Sequence, residues 1–185
     1  MEERIIIAGF GGQGVMAMGQ LLTYAGMIEG KQVSWLPSYG PEMRGGTANC
    51  NVVISSDDVG SPVVLDANTA IIMNKPSLDK FENSVVKGGK LFINSSLIDR
   101  KSERDDIEVY YVPCNEIADE LGNARVANMV MLGAYLEATK VVSVDSVLAG
   151  FTKVFGEGKA HLLPINKEAI EKGAEAIRKQ AGVTA

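Results

Sequence analysis

One ten-residue stretch constrains the fold more than any other part of the chain. Ile5-Ile6-Ile7-Ala8 is short, rich in β-branched residues and apolar throughout, as a strand buried on both faces is. It runs straight into Gly9-Phe10-Gly11-Gly12-Gln13-Gly14. From Val15 to Glu29, Met16, Leu21, Leu22, Ala25 and Ile28 then fall on roughly one side of a helix, and Gly30 stands where a helix C′ glycine belongs. A strand, a glycine turn and a helix in this order open an α/β fold.

The rest of the chain extends that unit. Strands are expected from Glu3 to Ala8, Val33 to Leu36, Thr47 to Ser55, Ala70 to Met73, Lys90 to Ile93 and Ile107 to Val112. Within Thr47–Ser55, Cys50, Val52 and Ile54 alternate with Asn49, Asn51 and Val53, which leaves one face partly polar. Val63 to Leu65 reads as a short strand or a helix start. Ser77 is expected to cap a helix to about Val86, ended by Lys87-Gly88-Gly89. The polar stretch from Ser95 to Asp106 is long for a compact domain and is expected to border a partner or to be mobile.

The last third reads as helical: Asn115 to Leu121, Ala124 to Thr139, a Ser143-capped helix from Val144 to about Val154, and an Asn166-capped one from Lys167 to Gln180. The expected architecture is one α/β domain over 1–185, an open, twisted, mostly parallel sheet with helices on both faces.

Composition enters by exclusion. The net charge is −5 and Lys and Arg form no run, which argues against nucleic acid as a partner. Two cysteines without a C-x-x-C pair, and one histidine, cannot supply the four ligands of a zinc site or an iron–sulfur cluster. Cys50 and Cys114 are expected to be reduced thiols in a cytoplasmic protein, since no signal peptide or membrane span is evident. Twenty of the 185 residues are glycine, above the average of about 7%.

Many of those glycines fall in two candidate site loops. Gly9, Gly11, Gly12, Gln13 and Gly14 form G-x-G-x-x-G between a strand and a helix. Such a loop lets a phosphate approach backbone N–H groups at a helix N-terminus. No G-K-[ST] follows, so a nucleotide-hydrolysing P-loop is excluded. A dinucleotide site also wants an acid after the second strand. Val33-Ser34-Trp35-Leu36-Pro37-Ser38 has none.

The second loop, Pro37-Ser38-Tyr39-Gly40-Pro41-Glu42-Met43-Arg44-Gly45-Gly46, follows that strand and is expected beside the first. Arg44 either pairs with Glu42 or anchors a phosphate or carboxylate. Elsewhere little chemistry is offered. His161 is the only histidine, and Asp57-Asp58 and Asp105-Asp106 read as solvated turns.

Three segments in order resemble the gamma subunit of 2-oxoacid:ferredoxin oxidoreductases: Ile5 to Gly14, Ser38 to Gly46, and Asn128-Met129-Val130-Met131-Leu132-Gly133-Ala134. The resemblance covers nearly the whole chain. It implies a complex that oxidatively decarboxylates a 2-oxoacid with coenzyme A, yielding acyl-CoA, carbon dioxide and reduced ferredoxin. It also implies that thiamine diphosphate and iron–sulfur clusters sit in alpha, beta and ferredoxin-like partner subunits, and that this chain is inactive alone. Free-standing, it is expected to be capable of forming a homodimer. The Ser38–Arg44 segment leans toward 2-oxoglutarate.

Under this resemblance Gly9, Gly11, Gly12, Gln13, Gly14, Ser38, Tyr39, Glu42, Arg44, Gly45 and Gly46 form the candidate binding set, with Gly11–Gly14 near coenzyme A phosphates and Arg44 as a second contact. No catalytic or metal-binding residue is expected here. Two other readings compete: an independent NAD(P)-binding oxidoreductase, and an assembly subunit whose glycine loops dock only partners.

Overall fold

The computed structural model describes residues 1–38 and 47–183, with side chains described as far as residue 180. Among these residues six strands form a sheet: β1 (Glu2–Phe10), β2 (Gln32–Ser38), β3 (Thr47–Ser55), β4 (Ala67–Ile72), β5 (Val85–Asn94) and β6 (Glu108–Val112). Their spatial order is β2-β3-β1-β4-β5-β6. The β1–β4, β4–β5 and β5–β6 pairs are parallel, while β3 runs against both β1 and β2. The sheet is mixed and mostly parallel.

Among the described residues seven α-helices accompany it: α1 (Val15–Ile28), α2 (Lys75–Phe81), α3 (Cys114–Glu120), α4 (Ala127–Thr139), α5 (Val144–Ala149), α6 (Phe151–Phe155) and α7 (Leu163–Val183). Alternation in the strands sorts the core. Ile5, Ile7, Val52, Ile54, Ile71 and Phe92 join Leu21 and Leu22 of α1 and Val130 and Leu132 of α4 in the main core. Ala8, Ala70, Ile72, Leu91 and Ile93 point the other way, onto Leu78 of α2 and Ile98 of the next loop. Helices therefore cover both faces, but unequally.

Several local expectations are corrected. Val63–Leu65 is neither strand nor helix. The second helix is capped by Asn74, whose Oδ1 accepts the Ser77 N–H at 3.1 Å; Ser77 itself is fully buried inside the first turn. That helix ends at Phe81, and Lys87-Gly88-Gly89 lies within β5, where the chain takes up extra residues between the Ala67–Val85 and Thr69–Lys90 pairs. Gly88 has φ 80° there, a left-handed value suited to a bulge. Gly150 splits the helix expected from Val144 into α5 and α6. Asn166 lies inside α7 and caps nothing, its amide donating to the Leu162 carbonyl at 2.8 Å.

The 95–106 segment is tied down. Arg100 bridges Asp79 at 3.0 Å and Glu82 at 2.8 Å. Arg104 holds Asp106 and donates to the carbonyls of Glu82 and Val85, and Tyr111 accepts the Ser102 N–H at 3.0 Å. The expected mobility has no support in this geometry.

At the amino edge of the sheet, Oε1 of Glu3 accepts from Thr69 at 2.6 Å and from Tyr135 at 3.4 Å. Burial raises the Glu3 pKa above its ordinary 4.5, outweighing those two bonds and the nearby charges of Lys90 and Arg4. The fold therefore favours the neutral acid. Its stabilising contribution is complete below the ordinary value and is lost as pH rises through the raised one. Glu3→Gln keeps an acceptor for both hydroxyls without a charge. The variant is expected to melt higher at pH 7 by about 2–4 °C, the shift that ~1 kcal/mol produces in a chain this size, and the gap should shrink at pH 4. A gap of equal size at both pH values would exclude the carboxylate as its cause.

Candidate functional site

All five strands other than β3 run the same way, so Phe10, Ser38, Ile72, Asn94 and Val112 finish on one edge. From β1 the chain leaves through α1 toward β2; from β4 it leaves through α2 toward β5 on the opposite side. The crevice between the ends of β1 and β4 is therefore the topological switch point, where open α/β sheets bind ligands.

The glycine loop fills one wall of that crevice, and Gln13 fixes its shape. Its Oε1 accepts the Phe10 N–H at 2.6 Å, and its Nε2 donates to the Met73 carbonyl at 3.2 Å. One side chain thus joins the end of β1 to the end of β4. Gly9 is required by crowding: a Cβ there would lie 2.6 Å from Gln13 Oε1 and 2.9 Å from Met73 Cβ.

Gly14, at φ 76°, starts α1 with no side-chain cap, and no acid lies in the first turn. The positive end of the helix thus has no counter-charge from its own first turn. Asn128, at the start of α4, donates to the Gly14 carbonyl at 3.4 Å and crowds the place a Cβ would take. Gly12 differs. Its φ is 90°, and open space lies where its Cβ would stand.

That open space borders a cleft of about 130 Å³ lined by Gly12, Gln13, Met73, Asn115, Arg125 and Asn128, with no acidic side chain among the described residues of its lining. Asn94, wholly buried, supports the far wall: it donates to Asn115 Oδ1 at 2.9 Å and accepts the N–H groups of Ser96 and Cys114. Arg125 is delivered by a short 3-10 turn (Ala124–Val126) that Asn123 caps, accepting the Arg125 N–H at 3.0 Å. The exposed Arg125 guanidinium makes no ion pair among the described residues. A cleft with a bare backbone, an uncapped helix start and a guanidinium is suited to an anion.

The sequence-based candidates divide accordingly. Gly11, Gly12, Gln13 and Gly14 form the loop as expected, while Gly9 lies inside β1, which runs two residues past its expected end at Ala8. Ser38 ends β2 and is exposed. Tyr39, Glu42, Arg44, Gly45 and Gly46 lie outside the described residues. The residues flanking that segment do reach the same edge, since Thr47 pairs with Phe10 and Ser38 with Asn49.

Asn115 and Arg125 escaped the sequence reading, and Asn128 entered it only within a family-like segment. The one local signal was Asn123 ahead of a turn, a capping pattern. His161 does not line this cleft. Cys50 and Cys114 are buried free thiols; burial pushes Cys50 up to about 12 and Cys114 further, so neither is a ready nucleophile. The NAD(P) reading also loses its geometry. In a dinucleotide fold β2 lies next to β1. Here β3 separates them, which moves the end of β2 one strand spacing further from the glycine loop.

Among the described residues no helix is long and apolar enough to cross a membrane, and no three His, Cys, Asp or Glu side chains gather as metal ligands.

Comparison with known proteins agrees with the fold. The model of the pyruvate ferredoxin/flavodoxin oxidoreductase family matches residues 4–176. The chain is 41% identical over 179 residues to the ketoisovalerate oxidoreductase subunit VorA of Methanothermobacter marburgensis, covering 96% of this chain and 37% of that one. It thus spans little more than a third of the length of that relative. It is 33% identical over 150 residues to the 2-oxoglutarate synthase subunit KorC of Methanocaldococcus jannaschii, covering 80% of each.

Among solved structures, the gamma subunit of a keto/oxoacid ferredoxin oxidoreductase from Geobacter sulfurreducens superposes with a TM-score of 0.80 at 27% identity, over 96% of this chain and 99% of that one. A 2-oxoglutarate:ferredoxin oxidoreductase from Magnetococcus marinus, with 2-oxoglutarate, coenzyme A and succinyl-CoA bound, superposes with a TM-score of 0.86 at 23% identity, over 96% of this chain and 31% of that one. At that identity the second likeness is one of fold. With its motifs, its sheet and these relatives in agreement, the chain belongs to the pyruvate ferredoxin/flavodoxin oxidoreductase family, as a gamma-type member of the 2-oxoacid:ferredoxin enzymes.

Proposed function

We propose that this chain serves as the gamma component of a complex that oxidatively decarboxylates a 2-oxoacid with coenzyme A, giving acyl-CoA, carbon dioxide and reduced ferredoxin. In this reading residues 1–185 act as one unit in the cytoplasm, and thiamine diphosphate and iron–sulfur clusters belong to alpha, beta and ferredoxin-like partners. The chain's own task is to hold coenzyme A by its phosphates. The observation that carries this is Gly12: a left-handed backbone with open space in front of it, on the wall of a cleft that also holds Arg125. A packing glycine has neighbours where its Cβ would be, as Gly9 does; Gly12 has none.

Arg44 is the second anion contact in this reading, with Ser38, Tyr39, Glu42, Gly45 and Gly46 as its setting. The oxoacid is chosen in the partner subunits, and ketoisovalerate, named for the relative at 41% identity, stands ahead of the 2-oxoglutarate of the relative at 33%. Turnover of both acids by the assembled complex decides between them.

The phosphate contacts are tested by calorimetric titration of the assembled complex with coenzyme A. Arg125→Ala and Arg44→Ala are each expected to weaken binding about tenfold, the equivalent of ~1.4 kcal/mol for a lost charge-assisted contact. Wild-type affinity in both variants would remove coenzyme A from this edge and leave the loops as partner-docking elements.

A further inference from the structure

The corner built by α1, β2 and β3 carries no charge. Residues 5–28, 32–38 and 47–56 include no Asp, Glu, Lys or Arg, although these types make up 22% of the chain. Two charged residues stand at the foot of the corner, Glu29 and Lys31, and both are used inside the chain. They pair with each other at 3.7 Å, Glu29 accepts the Ser143 N–H, and Lys31 donates to the Val141 carbonyl.

Much of this corner is nevertheless open. Gly19 and Gly26 of α1 lie against Trp35 and Val33 of β2. On the flank of the helix beside those glycines, Met16, Gln20, Thr23 and Met27 follow at helical spacing, and none of them is buried. Met27 is 50% exposed, its neighbour Ile28 53%, and Leu36, which alternates with Trp35 along β2, 38%.

The strand edge is open as well. β2 is the outermost strand, and among the described residues its backbone pairs only with β3. At the opposite edge Gln180 of α7 takes the Tyr111 carbonyl of β6. Where a helix of this chain meets water it carries charge, as Lys167, Glu168, Glu171 and Lys172 do on α7. A charge-free margin with exposed Met and Leu beside an open strand has instead the composition of an interface core.

We propose that this corner is the contact surface for a heterologous partner polypeptide, which seats an uncharged, apolar surface over α1 and the β2 edge. This rests on the gamma-component reading above and specifies which face of the chain the assembly covers. The occupant is argued from the relative at 41% identity, in which the matched unit is 37% of the chain. There the unit never parts from further polypeptide, and a contact that never opens needs no charge to keep it soluble. Obligate interfaces are accordingly more hydrophobic than transient ones.

The test is thiol footprinting of the complex co-expressed with its partner subunits. Cys50 and Cys114 are buried, so an introduced cysteine is the one ready thiol of this chain. Met27→Cys, Leu36→Cys and Lys167→Cys each replace an exposed side chain. Each complex is treated with a maleimide and the mass of this chain is followed. Labelling of Cys50 or Cys114 in the same spectrum would mark unfolded chain.

Positions 27 and 36 are expected to react roughly tenfold or more slowly than position 167. Equal rates at all three in an intact complex would overturn the surface assignment and leave the gamma-component reading standing. Failure of the chain to assemble with any such subunits would remove both. If the chain free of partners protects positions 27 and 36 and has twice the mass of one copy, the occupant is a second copy and the proposal falls.

Discussion

Gly133→Val should lower the melting temperature of the chain by roughly 6–12 °C, the shift expected for a loss of ~3 kcal/mol at this length. The cause is a reciprocal contact between α4 and α7. Gly133 of α4 faces the backbone of Ile170, and Gly173 of α7 faces that of Val130. A Cβ on Gly133 would lie 2.6 Å from the Ile170 carbonyl carbon, and one on Gly173 2.8 Å from that of Val130. Each helix brings its bare backbone to the other's, which sets a closer approach than side chains would permit.

Helix propensity pushes the other way, since leaving glycine gains at most about 1 kcal/mol. Overlap with a carbonyl group is the larger effect. The obstacle is backbone, which has no rotamer to move into, and α4 is buried from Ala127 to Leu136. Circular dichroism melts of wild type, Gly133→Ala and Gly133→Val should therefore show a graded fall. A change below 2 °C for valine would mean that the two helices separate freely, contrary to the packing described. The variant has a second consequence. α4 carries Asn128 at its start, so displacing it disturbs the contact with Gly14.

Gly14→Ala should cost about 2–3 kcal/mol of stability and at least tenfold in coenzyme A affinity of the assembled complex. Two costs add. A left-handed backbone is worth about 1–2 kcal/mol against any residue with a Cβ, and Gly14 has φ 76°. The new methyl would also lie 2.9 Å from the Asn128 side-chain carbon, so Asn128 must swing out and give up its bond to the Gly14 carbonyl. The start of α1 then shifts, and with it the Gly12–Gln13 wall of the cleft.

Gly12→Ala is the informative companion. Its φ of 90° brings a similar strain, but its methyl meets nothing within 4 Å. It should cost only ~1–2 kcal/mol of stability, while a ligand phosphate pressed against that backbone would feel the methyl directly. Thermal melts and coenzyme A titration of the two variants separate the effects. Wild-type affinity in Gly14→Ala would detach the loop from ligand binding.

Legibility in the sequence followed the range of each signal. Thr47–Ser55 was readable to the residue because its alternation is local, and the structure sends Cys50, Val52 and Ile54 into the main core as that alternation requires. The start of α2 was not. Asn74 and Ser77 are both good caps, and only the core made the choice by burying Ser77 completely. The Ser95–Asp106 loop looked free because its anchors, Asp79, Glu82 and Tyr111, are remote in sequence. Half of the candidate cleft was visible in the same way. The glycines announced a phosphate-suited turn, but nothing around Arg125 announced that it would stand across from Gly12.

The strand–turn–helix opening, the helical last third and the family itself follow from the order of residues, because β-branched runs, glycine turns and helical periodicity are local facts. The insertion of β3 between β1 and β2, the crevice beside β4, the Arg125 wall and the α4–α7 glycine contact were settled only in three dimensions. Backbone hydrogen bonds are alike for every strand and do not choose partners. The choice is made by which apolar faces and which small residues fit together once the whole core closes.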